Sequence, residues 1–207
     1  MIIAFLLASA PITTAVDAEI AFARDAKRIG QWTAFRKWAD RDAVMFTPQA
    51  VWVQRFLKDR KDPPKAVQWV PADSFVSCDA RTAVTTGPWW GADGVHHGYF
   101  TTVWQRTKAG WRWVYDGGAA TTEGSAKPMD VPLNVHAASC RAKAPGAPLP
   151  HRRTTPEDNG RGQSADKTLG WDWNVGADGA RTFRLLQWKG SRYAEVLTNE
   201  IPAPPTK

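Results

Sequence analysis

Gly98-Tyr99-Phe100-Thr101-Thr102-Val103-Trp104-Gln105-Arg106 runs into a Lys108-Ala109-Gly110 turn and returns as Trp111-Arg112-Trp113-Val114-Tyr115-Asp116-Gly117-Gly118. Almost every position in both arms is β-branched or aromatic, and the strand breakers sit at the turn and the far end. The stretch therefore reads as a long aromatic β-hairpin. By strand alternation Trp111 and Trp113 share one face, and Trp104 shares the face of Phe100 and Thr102.

Upstream, Asp17 is placed to cap a helix reaching about Ile29, with Phe22, Ala26 and Ile29 at three-to-four spacing and Gly30 as its stop. A second short helix carries Trp32, Phe35 and Trp38 or Ala39 on one stripe. Residues 43–46 read as a strand ended by Pro48, and residues 50–57 as a short helix before Asp62-Pro63-Pro64 breaks the chain. Strands at 66–70, 74–78 and 82–86 then lead to the hairpin, with turns at Pro71-Ala72-Asp73, Asp79-Ala80-Arg81 and Gly91-Ala92-Asp93-Gly94. Helices followed by an antiparallel meander predict an α+β domain with helices packed on one face of a curved sheet.

Downstream, residues 119–167 are rich in Ala, Pro, Gly, Thr and charge without a sustained period, the composition of a loop or linker. Residues 169–175, 183–188 and 193–197 form three short strands. Three such strands cannot easily bury a core alone, so this segment is expected to pack on the first domain. The organisation is then 1–18 signal peptide, 19–118 α+β domain, 119–167 loop, 168–200 C-terminal β extension and 201–207 frayed tail.

The chain has 207 residues, enough for one sizeable core and an appendage. Its first sixteen residues carry no charge. An apolar run over residues 2–8 and a small-x-small site at Val16-Asp17-Ala18 read as a secretory signal, which points to a periplasmic or secreted protein. A buried N-terminal helix is the alternative. The apolar run falls short of the ~20 residues a bilayer crossing needs, so no stable membrane insertion is expected. Cys78 and Cys140, the two cysteines, can pair in an oxidising compartment or stay as buried thiols; their spacing fits no zinc pattern. The net charge of +7 is scattered: residues 58–62 mix both signs, and Arg152-Arg153 is the one tight basic pair of the second half. A nucleic-acid partner, which needs a basic stripe, is not expected.

The order of Ala21-Phe22-Ala23, Ala34-Phe35, Ala43-Val44-Met45-Phe46-Thr47-Pro48, Trp69-Val70-Pro71, Ser77-Cys78-Asp79, Thr86-Gly87-Pro88-Trp89, Gly98-Tyr99 with Val103-Trp104, and Trp113-Val114-Tyr115-Asp116 resembles the nuclear transport factor 2-like superfamily. The likeness is greatest to its exported bacterial SnoaL-like and domain-of-unknown-function 4440 members, and covers residues 19–118. It implies a cone-shaped, strongly bent antiparallel sheet wrapping N-terminal helices around a pocket. The superfamily includes ketosteroid isomerases, dehydratases and polyketide cyclases beside non-catalytic binding and dimerisation modules, so the fold alone assigns no activity.

An isomerase-type site needs a carboxylate in an apolar cavity facing a Tyr or a protonated acid. Asp40, Asp42, Tyr99 and Asp116 are the candidates, although Asp40-Arg41-Asp42 equally suits a solvated helix end and Asp116 before two glycines a turn. His96-His97 point to opposite strand faces and cannot chelate one ion together, and His136 and His151 fall in the loop, so no metal or cofactor is expected. Twelve Trp either fill the core or line an aromatic cavity for an apolar or planar small molecule. For the second case the expected lining is Trp32, Phe35, Trp69, Tyr99, Trp104 and Trp113. Together these features describe an exported, non-catalytic small-molecule-binding or interaction module, with a homodimer through an open sheet face as a structural variant. The alternative is an isomerase- or cyclase-like enzyme with Asp40 or Asp116 as base and Tyr99 as donor.

Overall fold

The computed structural model describes residues 12–91, 94–121, 130–150 and 159–204; residues 1–11 of the signal reading and His151 lie outside them. Helix α1 spans Ala15–Ile29. Thr14, not Asp17, is its cap: the Thr14 hydroxyl accepts the Asp17 N–H at 3.1 Å, and the Asp17 carboxylate accepts the Thr14 N–H at 2.9 Å. Asp17 thus closes a reciprocal capping box from the third helical position. Ala15 and Ala18 are buried in the core, so Val16-Asp17-Ala18 is the packed first turn of α1. Helix α2 (Gln31–Trp38) follows after Gly30, whose φ of +104° suits glycine and whose missing side chain leaves room for the Asp62 carboxyl. Asp62 accepts the Thr33 N–H at 3.0 Å and anchors the first turn of α2. Buried Asp25 joins the two helices, accepting from Lys37 at 2.5 Å and the Trp38 indole at 3.0 Å.

The first sheet holds β1 (Ala39–Phe46), β2 (Ala50–Trp52), β3 (Gln68–Trp69), β4 (Asp73–Val76), β5 (Thr82–Trp90), β6 (His97–Thr107), β7 (Gly110–Ala120) and β8 (Asn134–Ala137). Their order is β2-β1-β7-β6-β5-β4-β8, with β3 on β5. Helix α3 (Val53–Phe56) takes only the second half of the stretch expected to be helical, because Ala50–Trp52 pairs with β1. The sheet is mixed rather than antiparallel throughout: β1 runs parallel to β7 and β4 to β8. Both parallel pairs join strands separated by long connections, which parallel pairing requires.

The second sheet, in order β12-β11-β10-β9, is antiparallel and contains β9 (Asn159–Gln163), β10 (Leu169–Val175), β11 (Arg181–Trp188) and β12 (Tyr193–Ile201). The 119–167 segment is therefore not all loop, since β8 and β9 lie within it. Backbone pairing to β4 and β10 gave these strands order that their composition did not signal.

The two sheets form a sandwich with the helices as a third layer. On the inner face Phe22, Phe35 and Trp38 pack against Trp69, Trp104 and Trp113. On the outer face Val44, Val84, Val103 and Tyr115 meet Leu169, Trp171, Phe183 and Leu185. The C-terminal strands pack on the first domain as expected, and they cover its back. Cys78 and Cys140 are joined as a disulfide. Beside it the Cys78 N–H donates to the Thr168 hydroxyl at 2.9 Å and the Asp79 N–H to Asp166 at 2.8 Å, fastening one sheet to the other.

One irregularity decides what faces inward. Val103 pairs with Tyr115 but Trp104 with Trp113, leaving Val114 as an extra residue in β7. Such a bulge reverses the alternation beyond it. Trp111 and Trp113 face the helices as read from the sequence, Tyr115 turns to the outer face, and Asp116 turns inward opposite Thr102.

Candidate functional site

A cavity of about 240 Å³ lies between the helices and the inner face of the sheet. Helices α1 and α2 supply Phe22 and Phe35, whose rings meet edge-to-face at 4.8 Å. The sheet supplies Met45 and Phe46 of β1, Trp69 of β3, Trp89 of β5 and Tyr99 and Phe100 of β6. Val67 and residues 116–120 complete the wall together with Arg181, which β11 contributes from the second sheet. Gly117-Gly118 is not a turn: β7 continues through it to Ala120. A side chain at Gly118 would meet the Tyr99 carbonyl oxygen at 2.1 Å, so the wall there is bare backbone.

Asp116 is the acid of this wall. Its carboxylate accepts the Thr102 hydroxyl at 2.9 Å. Burial pushes its pKa up to about 8, the nearby Glu19 carboxylate adds to the rise, and the Thr102 hydrogen bond opposes it. Near neutral pH Asp116 therefore holds its proton for most of the time and serves as a hydrogen-bond donor.

Glu19, fully buried on α1, is the residue the sequence reading missed. It accepts the Trp69 indole N–H at 2.6 Å, the Thr85 hydroxyl at 2.6 Å and the Trp104 indole N–H at 2.8 Å. Burial raises its pKa while these donors and Thr102 oppose the rise. The Thr102 hydroxyl thus stands between two buried carboxyl groups. A signal was available: Glu19 lies three residues before Phe22 and four after Ala15, on the apolar stripe of the helix, where a solvated acid has no place.

Arg181 was also unforeseen. Its Nη2 donates to the Gly118 carbonyl at 2.9 Å, and its guanidinium lies 4.8 Å from the Phe46 ring centroid. Its Nε is buried without a hydrogen-bond partner among the described residues. Burial lowers its pKa, with Tyr115 and Tyr99 opposing. Burial likewise raises the pKa of the Tyr99 phenol, and Arg181 opposes that rise.

Of the residues singled out from the sequence, Phe35, Trp69, Tyr99 and Asp116 are brought together at the cavity. Trp104 and Trp113 are not lining: both are fully buried beneath it, because the wide inner face needs large rings to fill the space under the helices. Trp32 packs edge-to-face on Phe35 at 5.5 Å with the Arg60 guanidinium 5.6 Å from its own ring, away from the cavity. Asp40 lies in β1 rather than at a helix end and takes no part in the cavity wall. Asp42 is exposed and pairs with Arg41 at 2.9 Å. His136 lies in β8, within 2.8 Å of Asp73 and stacked on Phe75. Among the described residues no helix is long and apolar enough to cross a membrane.

No protein-family model matches this chain, and no curated protein matches it. Solved structures with a similar arrangement include a Parabacteroides distasonis protein proposed to be a ketosteroid isomerase. It is 15% identical, with 52% of this chain and 88% of that one covered and a TM-score of 0.41. An NTF-2 like protein of unknown function from Shewanella oneidensis is 12% identical, covering 48% of this chain and 91% of that one at 0.37. The CaMKII hub homology domain of Chlamydomonas reinhardtii is 17% identical, covering 53% and 100% at 0.39.

Proposed function

We propose that this chain binds an apolar, planar small molecule in the cavity under Phe22 and Phe35. The observation that carries the reading is the pairing of aromatic walls with two convergent polar groups, Asp116 and Tyr99, in one space of about 240 Å³. Pockets of this make-up, mostly apolar with a few placed polar groups, are the usual form of ligand sites. An apolar cavity of roughly 150 Å³ takes up benzene, so this one suits about a bicyclic ring system. Titration with 2-naphthol, followed by Trp fluorescence and calorimetry, tests it. Saturable one-to-one binding that Met45→Trp abolishes is expected, and absence of binding overturns the proposal.

Export remains part of the reading and is supported by the Cys78–Cys140 disulfide, a bond that persists in oxidising compartments. Because Thr14 and Asp17 cap a packed helix, our reading sets the processing site ahead of Thr13 rather than after Ala18. N-terminal sequencing of chain recovered from a periplasm checks this position.

The elevated pKa of Asp116 favours one second reading, acid–base catalysis on the bound molecule. Asp116 would act as acid below about pH 8 and as base above it, with Tyr99 donating a hydrogen bond. Turnover lost in Asp116→Asn with binding retained would establish it. Binding without turnover across enolisable aromatic ketones would leave the non-catalytic reading.

A further inference from the structure

We infer that the ligand of this cavity is an anion, a planar apolar molecule bearing a carboxylate that docks on Arg181. The inference rests on the small-molecule reading above and specifies its chemistry. Among the described residues Arg181 is the cation of the cavity wall, and it comes from the second sheet, whose inward neighbours Phe183 and Leu185 are buried apolar side chains. A guanidinium carries five N–H donors. One nitrogen of this one is engaged by the Gly118 carbonyl, and its buried Nε has no acceptor among the described residues. No carboxylate among them pairs with it, although Arg184, three residues along the same strand, is held by Asp172 at 2.8 Å.

Burying a guanidinium N–H without an acceptor is costly, and Arg181, partly buried, keeps its other donors on the cavity wall where an anion can complete them. Asp116 does not fill that role, being bonded to Thr102 on the sheet side and largely protonated near neutral pH. Its proton has a second effect: it keeps the wall from repelling an incoming carboxylate. Phe46 fixes the guanidinium by a cation–π contact, so the fork is oriented before a ligand arrives. The rest of the wall is mostly apolar, with Asp116 and Tyr99 its other polar groups, and suits an apolar body behind the charged end.

The test compares 2-naphthoate with its neutral isostere 2-naphthamide by calorimetry at pH 7. We expect the carboxylate to bind at least tenfold more tightly. Arg181→Met should erase that preference while leaving the amide affinity within about threefold, and Arg181→Lys should keep part of it, because the ammonium retains charge but not the planar fork. Equal affinities, or a preference that survives Arg181→Met, overturn the inference and leave the cavity reading intact. Failure of both compounds while 2-naphthol binds overturns the inference, and failure of all three overturns the cavity reading itself. Should the Met variant not fold, the Arg181 Nε–H signal of the wild-type protein decides: a shift with naphthoate and none with naphthamide supports the assignment, and no shift with either refutes it.

Discussion

The two faces of the first sheet are made from the same strands, yet they solve opposite problems. On the outer face Val44, Val84 and Val103 pack with Leu169, Phe183 and Leu185, and the Tyr115 and Phe183 rings meet tilted at 4.6 Å. One of the side-chain hydrogen bonds between the sheets, Asn199 Nδ2 to Thr101 Oγ1 at 2.7 Å, is buried with them. On the inner face Glu19, Thr85, Thr102, Asp116 and two indole N–H groups form a connected polar set under an aromatic cavity. Buried polar atoms are tolerable there because each carboxyl has donors waiting for it. The difference shows that burial alone does not mark a site: one face is closed by shape and the other is left open by chemistry.

The contrast can be broken most severely from the dry side. Phe183→Ala should cost about 3–5 kcal/mol in denaturant unfolding, since it opens a cavity where a fully buried ring stood. Naphthol binding to the folded fraction should persist; loss of binding at equal stability would show that the outer face shapes the site. On the polar side, Trp104 and Trp113 are equally buried, but only Trp104 donates, to Glu19 and to Thr85. The Trp113 indole N–H has no partner among the described residues. Trp104→Phe should therefore cost about 1–3 kcal/mol more than Trp113→Phe. Equal costs would mean that ring volume, not hydrogen bonding, governs the inner face.

Asp116→Asn sharpens the comparison through pH. The folded carboxyl keeps its proton until about pH 8, whereas the unfolded one ionises near the ordinary aspartate value of 3.8. The contribution to stability is thus full below pH 3.8 and declines as pH rises to about 8. Asn removes that decline, so the variant should gain on the wild type by about 1–3 kcal/mol at pH 9 and by nothing at pH 3.5; local relaxation around an ionised buried carboxyl keeps the gain below the full linkage. The smallest effect belongs to Thr102→Val, which removes the one hydrogen bond holding the Asp116 pKa down. Its titration midpoint, read from the carboxyl carbon by NMR, should move above about 8.

The elements that depend on local pattern were legible from the chain. The hairpin, its Gly110 turn, the helices before the meander and the face shared by Trp111 and Trp113 all follow from periodicity and breakers. Phe35, Trp69 and Tyr99, chosen as aromatic residues of the pocket that the resemblance implied, lie at the cavity wall. What escaped depends on distance or on a defect in pattern. Arg181 lies 63 residues from the Gly118 carbonyl it reaches, and nothing local marks it. Glu19 was hidden by assigning its neighbours to a leader peptide. Trp104 and Trp113 looked like lining because alternation gives the face of a ring but not its depth. In Trp-Arg-Trp-Val-Tyr-Asp, no residue type announces that Val114 is supernumerary.

That supernumerary valine makes the acid's placement a matter of parity. Every residue of β7 beyond it is assigned to its side by whether the count from the turn is odd or even. Excising one codon at Val114 would present a phenol to the ligand and drive a carboxyl into the oily seam between the sheets. No substitution elsewhere in the strand could do as much. In a sheet of this kind the site is set by chain length before it is set by side-chain identity, and a change of one residue in length is its most economical route to a different chemistry.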